Sequence, residues 1–236
     1  MHIEVISSVN EARADKFAHR TAIVIDVLRA TSTIVAALDA GASGIFPVET
    51  VLEARALHRQ GHILAGERFG RKIPGFELGN SPEDFNAGNA GGRRIVFTTT
   101  NGTRAVQKAM RADHLLAGSL LNVTACAKAA AELKRDVVLL CSGSHDEFAL
   151  EDGLCAGLFV DRLRSLCPGV VEVDDLGIAL HGFYESASGR VAELLCGSAS
   201  GKRLIKTGYG RDVEFCAQVD SCQVVPRLCG DMMVTG

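Results

Sequence analysis

Three times in the first 145 residues, an apolar run empties into a short loop of hydroxyl, glycine and polar residues that opens a helical stretch. Ile23-Val24-Ile25 leads into Asp26-Val27-Leu28-Arg29-Ala30-Thr31-Ser32-Thr33, and Ile95-Val96-Phe97 into Thr98-Thr99-Thr100-Asn101-Gly102-Thr103-Arg104. The third, Val138-Leu139-Leu140-Cys141, leads into Ser142-Gly143-Ser144. A run apolar at successive positions has no face to offer water, so each strand must be covered on both sides. Strand, loop and helix in repeated succession therefore dictate an α/β fold with a largely parallel or mixed sheet.

Those three strands fall at 22–27, 94–98 and 136–141, and four more are expected at 2–6, 44–48, 62–65 and 114–117. Helices are expected at 31–39, 50–60, 81–87, 101–111, 122–134 and 150–166. Thr50 and Glu53 have the spacing of a capping box, and Ser81-Pro82-Glu83-Asp84 puts a proline at a first helical position. Gly41 and Gly61 stop the helices before them. Beyond Pro168 the rhythm weakens to a helix near 189–196 and a strand near 223–228. No linker or close repeat interrupts residues 1–236, which read as one domain, with a division into lobes of about 1–120 and 121–236 left open.

Composition narrows the function. With 25 Lys+Arg against 28 Asp+Glu the chain has no basic excess to neutralise phosphates, which argues against nucleic-acid binding. No segment has the ~18 uncharged apolar residues a membrane span needs, and the first 20 residues carry no apolar core of signal type. The eight cysteines lie mostly inside apolar runs and form no CxxC, so they read as reduced, buried thiols and the protein as cytoplasmic.

Ligands of open α/β sheets bind beyond the carboxyl ends of the strands, where a helix start presents unpaired N–H groups to an anion. Asp26 ends a strand and can hold Mg²⁺ or attack phosphorus, although a helix cap or a partner for Arg29 would serve equally well. A scheme needing a second Asp two positions on is argued against by Leu28. The stretch from Gly66 to Pro82 is dense in glycine and charge, and Glu67 is a hard-oxygen donor. Thr98–Arg104 supplies hydroxyls and an amide for phosphate-like oxygens, where a plain cap needs only one of them. Glu151 and Asp152 could complete a metal site or activate water, or simply complement a helix dipole. Gly197-Ser198-Ala199-Ser200-Gly201-Lys202 fails as a phosphate loop: three residues part its glycines where four are needed, and Arg203 stands where a Ser or Thr belongs.

Together these segments carry a resemblance. Asp26 through Thr33, Gly66-Glu67-Arg68 with Gly79-Asn80-Ser81-Pro82, and Thr98 through Thr103 resemble the 2-phosphosulfolactate phosphatase family. Cys141-Ser142-Gly143, Glu151-Asp152-Gly153-Leu154-Cys155-Ala156-Gly157, Asp212-Val213-Glu214-Phe215-Cys216, Asp220 and Val225-Pro226 extend the match, with Glu77 as a charge-preserving departure. The resemblance implies a three-layer α/β/α fold and a Mg²⁺-dependent phosphatase converting 2-phospho-3-sulfolactate to 3-sulfolactate and phosphate, a step of coenzyme M biosynthesis. For such a reaction Asp26, Glu67, Glu151 and Asp152 are assigned to the chemistry, with Asp26, Glu67 and Asp152 as the Mg²⁺ shell. The small polyanionic substrate would be held by Arg29, Thr31, Ser32, Thr33, Asn80, Asn101, Gly102, Thr103, Arg104 and Ser142. Direct attack by water and a phosphorylated Asp26 both stay open, as does homo-oligomerisation. Two other readings are a phosphatase for another small phospho-hydroxy acid and a non-catalytic anion-binding module.

Overall fold

The computed structural model describes residues 1–58, 62–145 and 147–235. Gln60 and Gly61, at the expected end of one helix, and Asp146 in the third loop lie outside the described residues. The first half of the chain runs β1 (His2–Ile6), β2 (Thr21–Ile25), α1 (Ala30–Asp39), β3 (Gly44–Pro47), α2 (Val51–Leu57), β4 (His62–Arg68), β5 (Arg71–Lys72), β6 (Arg94–Thr98), α3 (Gly102–Lys108) and β7 (His114–Gly118). It continues with α4 (Val123–Glu132), β8 (Val137–Cys141), α5 (Leu150–Leu166), β9 (Glu172–Val173), α6 (Asp175–Ala187), α7 (Val191–Gly197), α8 (Ala199–Lys206), α9 (Gly210–Cys216), β10 (Pro226–Cys229) and β11 (Met232–Thr235).

The strands form one mixed sheet in the order β5-β4-β6-β3-β11-β10-β7-β2-β8-β1-β9. Two parallel blocks, β4-β6-β3 and β7-β2-β8-β1-β9, are joined by the antiparallel β10–β11 hairpin. Twist of about 20–25° per strand accumulates over the five steps from β2 to β6, so ladder sense alone does not set where distant strand ends point. Side chains alternate across β2. Ile23 and Ile25 pack with Val123, Leu154 and Phe159 of α4 and α5, while Ala22 and Val24 pack with Ile34 of α1 and Val106 of α3. That alternation places helices on both faces, the expected three-layer α/β/α arrangement.

The Thr50–Glu53 capping box forms at the start of α2, and Gly41 follows α1 at φ +89°. The helix expected at 81–87 is only a 3₁₀ turn, Pro82–Asp84. Phe85 is extended and buried, and the Ser81 hydroxyl caps nothing because it donates to Asp212 at 2.7 Å. Beyond Pro168 the described residues form four α-helices where the sequence suggested one. α7, α8 and α9 have only seven or eight residues and α6 buries only Gly177, Leu180 and Ala187, too little for a readable period. No helix among the described residues is long and apolar enough to cross a membrane. All eight thiols are free.

Candidate active site

The loop after β2 closes on itself. Thr31 Oγ1 donates to the Asp26 carbonyl and accepts the Asp26 N–H, both at 2.9 Å, and Ser32 Oγ donates to the Val27 carbonyl at 2.8 Å. Thr33 Oγ1 donates to the Asn80 carbonyl at 3.1 Å. The three hydroxyls thus shape the β2–α1 turn and moor it to the 79–82 loop. Asp26 Oδ1 accepts the Ala30 N–H at 3.1 Å, a cap at the start of α1. Both alternatives weighed for this residue have a structural answer: Asp26 caps a helix, and Arg29 is taken by another acid. Arg29 pairs with Asp212 and lies 4.3 Å from the Tyr209 ring centroid.

Thr99 and Thr103 cap one another through 3.0 and 3.1 Å bonds, which fixes the start of α3. Gly102 lies against Asp26: a Cβ there would meet the Asp26 Oδ2 at 2.5 Å. Asn101 Nδ2 donates to the Gly143 carbonyl at 3.0 Å, tying the second loop to the third. Glu67 joins the β4–β5 turn to that second loop, accepting the Gly70 N–H and the Thr100 N–H, each at 2.7 Å. Asp152, from the first turn of α5, accepts the Val27 N–H at 2.9 Å, the Gly143 N–H at 3.0 Å and the Ser142 hydroxyl at 3.2 Å. The carboxyl ends of β2, β4, β6 and β8 therefore meet through their own hydrogen bonds.

Asp26, Glu67, Glu151 and Asp152 are all buried, and among the described residues no lysine or arginine pairs with them. Burial pushes the Asp26 carboxyl up to about 6, opposed by the Ala30 N–H and the Ser142 hydroxyl and aided by Glu67 and Glu151. Burial also drives Asp152 well above the carboxylate range, aided by Asp26 and Glu151 and opposed by the Val27 and Gly143 N–H groups. Asp26 then holds its proton more tightly folded than unfolded, so ionising it works against the fold. Without a cation, stability should fall as pH rises from 3.8, its ordinary value, to about 6. The loss is on the order of 3 kcal/mol. Melting in EDTA across that window measures it, and a midpoint that rises with pH there, after correction with Asp26→Asn, would contradict this electrostatic picture.

A cavity of about 310 Å³ opens over these ends, lined by Asp26, Leu28, Arg29, Glu67, Phe69, Gly70, Asn80, Thr99, Thr100, Asn101, Gly143, Ser144, His145, Arg203 and Leu204. Of the residues expected to hold substrate, Arg29, Asn80 and Asn101 line it, and the Asn80 Oδ1 is buried with no hydrogen-bond partner. Thr31, Ser32, Thr33, Gly102, Thr103 and Ser142 stand behind the wall as its scaffold, and Arg104 pairs with Asn10 at the surface. Glu151 and Asp152 also stand behind it. Asp212 grips Arg29 and Ser81, whereas Asp220 accepts from the Thr124 N–H and hydroxyl at the start of α4. Sequence reasoning missed Arg203, which comes from the segment rejected as a phosphate loop. It also missed Phe69, whose only signal was its place in the glycine-rich turn.

Among the described residues, no three His, Cys, Asp or Glu side chains gather as a ready metal cage. A magnesium ion does not need one, because it keeps several waters and takes one or two carboxylates together with substrate phosphate. Buried carboxylates that form no ion pair among the described residues, two of them facing the cavity, are a donor set that fits such an ion.

Strand ends that wall a cavity floored by acids and ringed by amide, hydroxyl and guanidinium groups define an α/β enzyme of small anions. A family model described as 2-phosphosulpholactate phosphatase matches residues 6–231. The chain is 41% identical over 218 residues to a probable 2-phosphosulfolactate phosphatase of Thermotoga maritima, covering 91% of this chain and 92% of that protein. It is 40% identical over 222 residues to the protein of that name from Symbiobacterium thermophilum, covering 92% and 95%. For the Carboxydothermus hydrogenoformans protein of the same name the figures are 42% over 210 residues, 88% and 86%. The chain belongs to the 2-phosphosulfolactate phosphatase family, whose members are phosphoric monoester hydrolases.

Proposed function

We propose that the protein hydrolyses 2-phospho-3-sulfolactate to 3-sulfolactate and phosphate with Mg²⁺, the type of step used in coenzyme M biosynthesis. The observation that carries this reading is the juxtaposition of Asp26 and Glu67 with the Thr99–Asn101 segment in a cavity of about 310 Å³, within a chain of this family. That volume lies at the small end of ligand pockets and accommodates a three-carbon acid. Eight free thiols suit a reducing compartment such as the cytoplasm.

Asp26 and Glu67 would hold the ion, since both line the cavity. Asp152, whose two oxygens already accept three donors, acts as the strut that holds the β2 and β8 loops in register. Bound Mg²⁺ supplies positive charge against the phosphate oxygens and orients the attacking group. The protein's own part is to fix that geometry. Glu67 anchors the Gly70 and Thr100 N–H groups, Asn101 ties the loops together, and Asn80 offers an acceptor to a substrate hydrogen or an ordered water. Preorganised groups of this kind need no rearrangement as charge develops in the transition state.

Phosphate release from a panel of phosphorylated hydroxy acids, first with Mg²⁺ and then with EDTA, tests the reading. The expected result is fastest release from phosphosulfolactate, reduced to background by EDTA and restored by Mg²⁺. Preference for phosphoglycolate would assign a different acid to the same site. No Mg²⁺-dependent release from any member would favour a binding module.

A further inference from the structure

Resting on that reading, we propose that Arg203, seated on Ser144 and His145, binds the sulfonate of the substrate and sets the enzyme's preference for a sulfonated acid. The cavity has two arginines of different standing. Arg29 is neutralised by Asp212 and covered by Tyr209. Arg203 has no acid partner among the described residues; its Nη1 donates to His145 Nε2 at 2.6 Å and its Nη2 to Ser144 Oγ at 3.2 Å. Neither partner is an acid, so the guanidinium is oriented while its charge remains without a carboxylate against it.

The remaining donors suit a tetrahedral oxyanion. A guanidinium has five N–H groups, and two are used here, which leaves three. Ser144 accepts from Arg203, so its own hydroxyl hydrogen is free to point at an anion. A planar carboxylate uses two donors in a fork, whereas a sulfonate has a third oxygen for a third donor. The acids Asp26 and Glu67 are the place for the cation and hence the phosphate, which leaves Arg203 for another anionic group.

The chain fixes Arg203 by packing on either side of it. Ser198 caps α8 by accepting the Gly201 N–H at 3.0 Å, and the next residue, Leu204, is buried. The Leu204 carbonyl accepts the Tyr209 N–H at 2.8 Å, and the Tyr209 ring covers Arg29. One corner, α8 to α9, thus sets both cavity arginines.

The test compares wild type, Arg203→Gln and Arg203→Lys on phosphosulfolactate, on 2-phospholactate, which lacks the sulfonate, and on 2-sulfoethyl phosphate, which lacks the carboxylate. Arg203→Gln should lower kcat/KM about 10–100-fold more on the two sulfonated substrates than on 2-phospholactate, and Arg203→Lys should fall between. Equal losses on all three would overturn the proposal in favour of a structural role. A loss confined to the two carboxylated substrates would overturn it in favour of carboxylate binding. Calorimetric binding of 3-sulfolactate against lactate needs no turnover. If wild type prefers 3-sulfolactate and Arg203→Gln abolishes the preference, the inference holds even where phosphate release fails and the proposed activity falls. Wild type that binds the two equally overturns it.

Discussion

Asp26→Asn is expected to lower Mg²⁺-dependent phosphate release by about 10³-fold or more, while making the metal-free protein more stable above pH 6. The opposite signs share one cause. The amide keeps an oxygen that can accept the Ala30 N–H, so the β2–α1 turn survives. It removes one buried negative charge, which burial itself disfavours most and the neighbouring acids Glu67 and Glu151 disfavour further. Relief is worth up to about 3 kcal/mol by the same linkage that makes ionised Asp26 unfavourable. Activity falls because the same charge is what would hold the cation, or would itself attack phosphorus. Phosphate-release assays and melting curves on one preparation measure both effects. Near-normal turnover would eliminate both roles for Asp26. Fluoroberyllate trapping on Asp26 in the wild type would select the phosphorylated route over direct attack by water.

Gly102→Ala carries the second large effect. Its Cβ would lie 2.3 Å from the Ala30 Cβ at the start of α1 and 2.5 Å from the Asp26 Oδ2 on the connection that leads into it. Neither neighbour is the free end of a long side chain, so backbone must move. Overpacking of this kind costs about 1–3 kcal/mol. A displacement of about an ångström at Asp26 should lower turnover roughly 10²-fold. Circular dichroism melting and initial rates check the two numbers separately. A variant with wild-type stability and rate would mean that α3 does not sit as closely on Asp26 as the geometry requires.

Apolar runs betrayed β2, β6 and β8, because buried parallel strands show no polar alternation for water to read. The capping box at Thr50 and Glu53 and the α5 boundaries, 150–166, were equally legible, since local hydrogen bonds and a long period settle them. Ser81 marks the limit: its spacing to Pro82 and Glu83 suits a helix start, but Asp212, 131 residues away, takes its hydroxyl. Arg203 is the converse case. Nothing local distinguishes it within a failed phosphate-loop pattern, and only the α8 corner carries it to the cavity.

The site divides along the same line. Asp26, Glu67, Asn80 and Asn101 could be named from the chain because strand ends followed by hydroxyl and glycine loops are local patterns. What lines the cavity and what stands behind it was decided only in three dimensions. Thr31, Ser32, Thr33 and Asp152 have the chemistry of ligands, yet backbone groups from neighbouring loops satisfy them. Sequence by itself determined the alternation of strand and helix, and with it the strand ends over which the cavity opens. Tertiary structure decided which of those polar groups face the cavity and which stand behind its wall, because the loops that carry them are set by contacts between segments far apart in the chain.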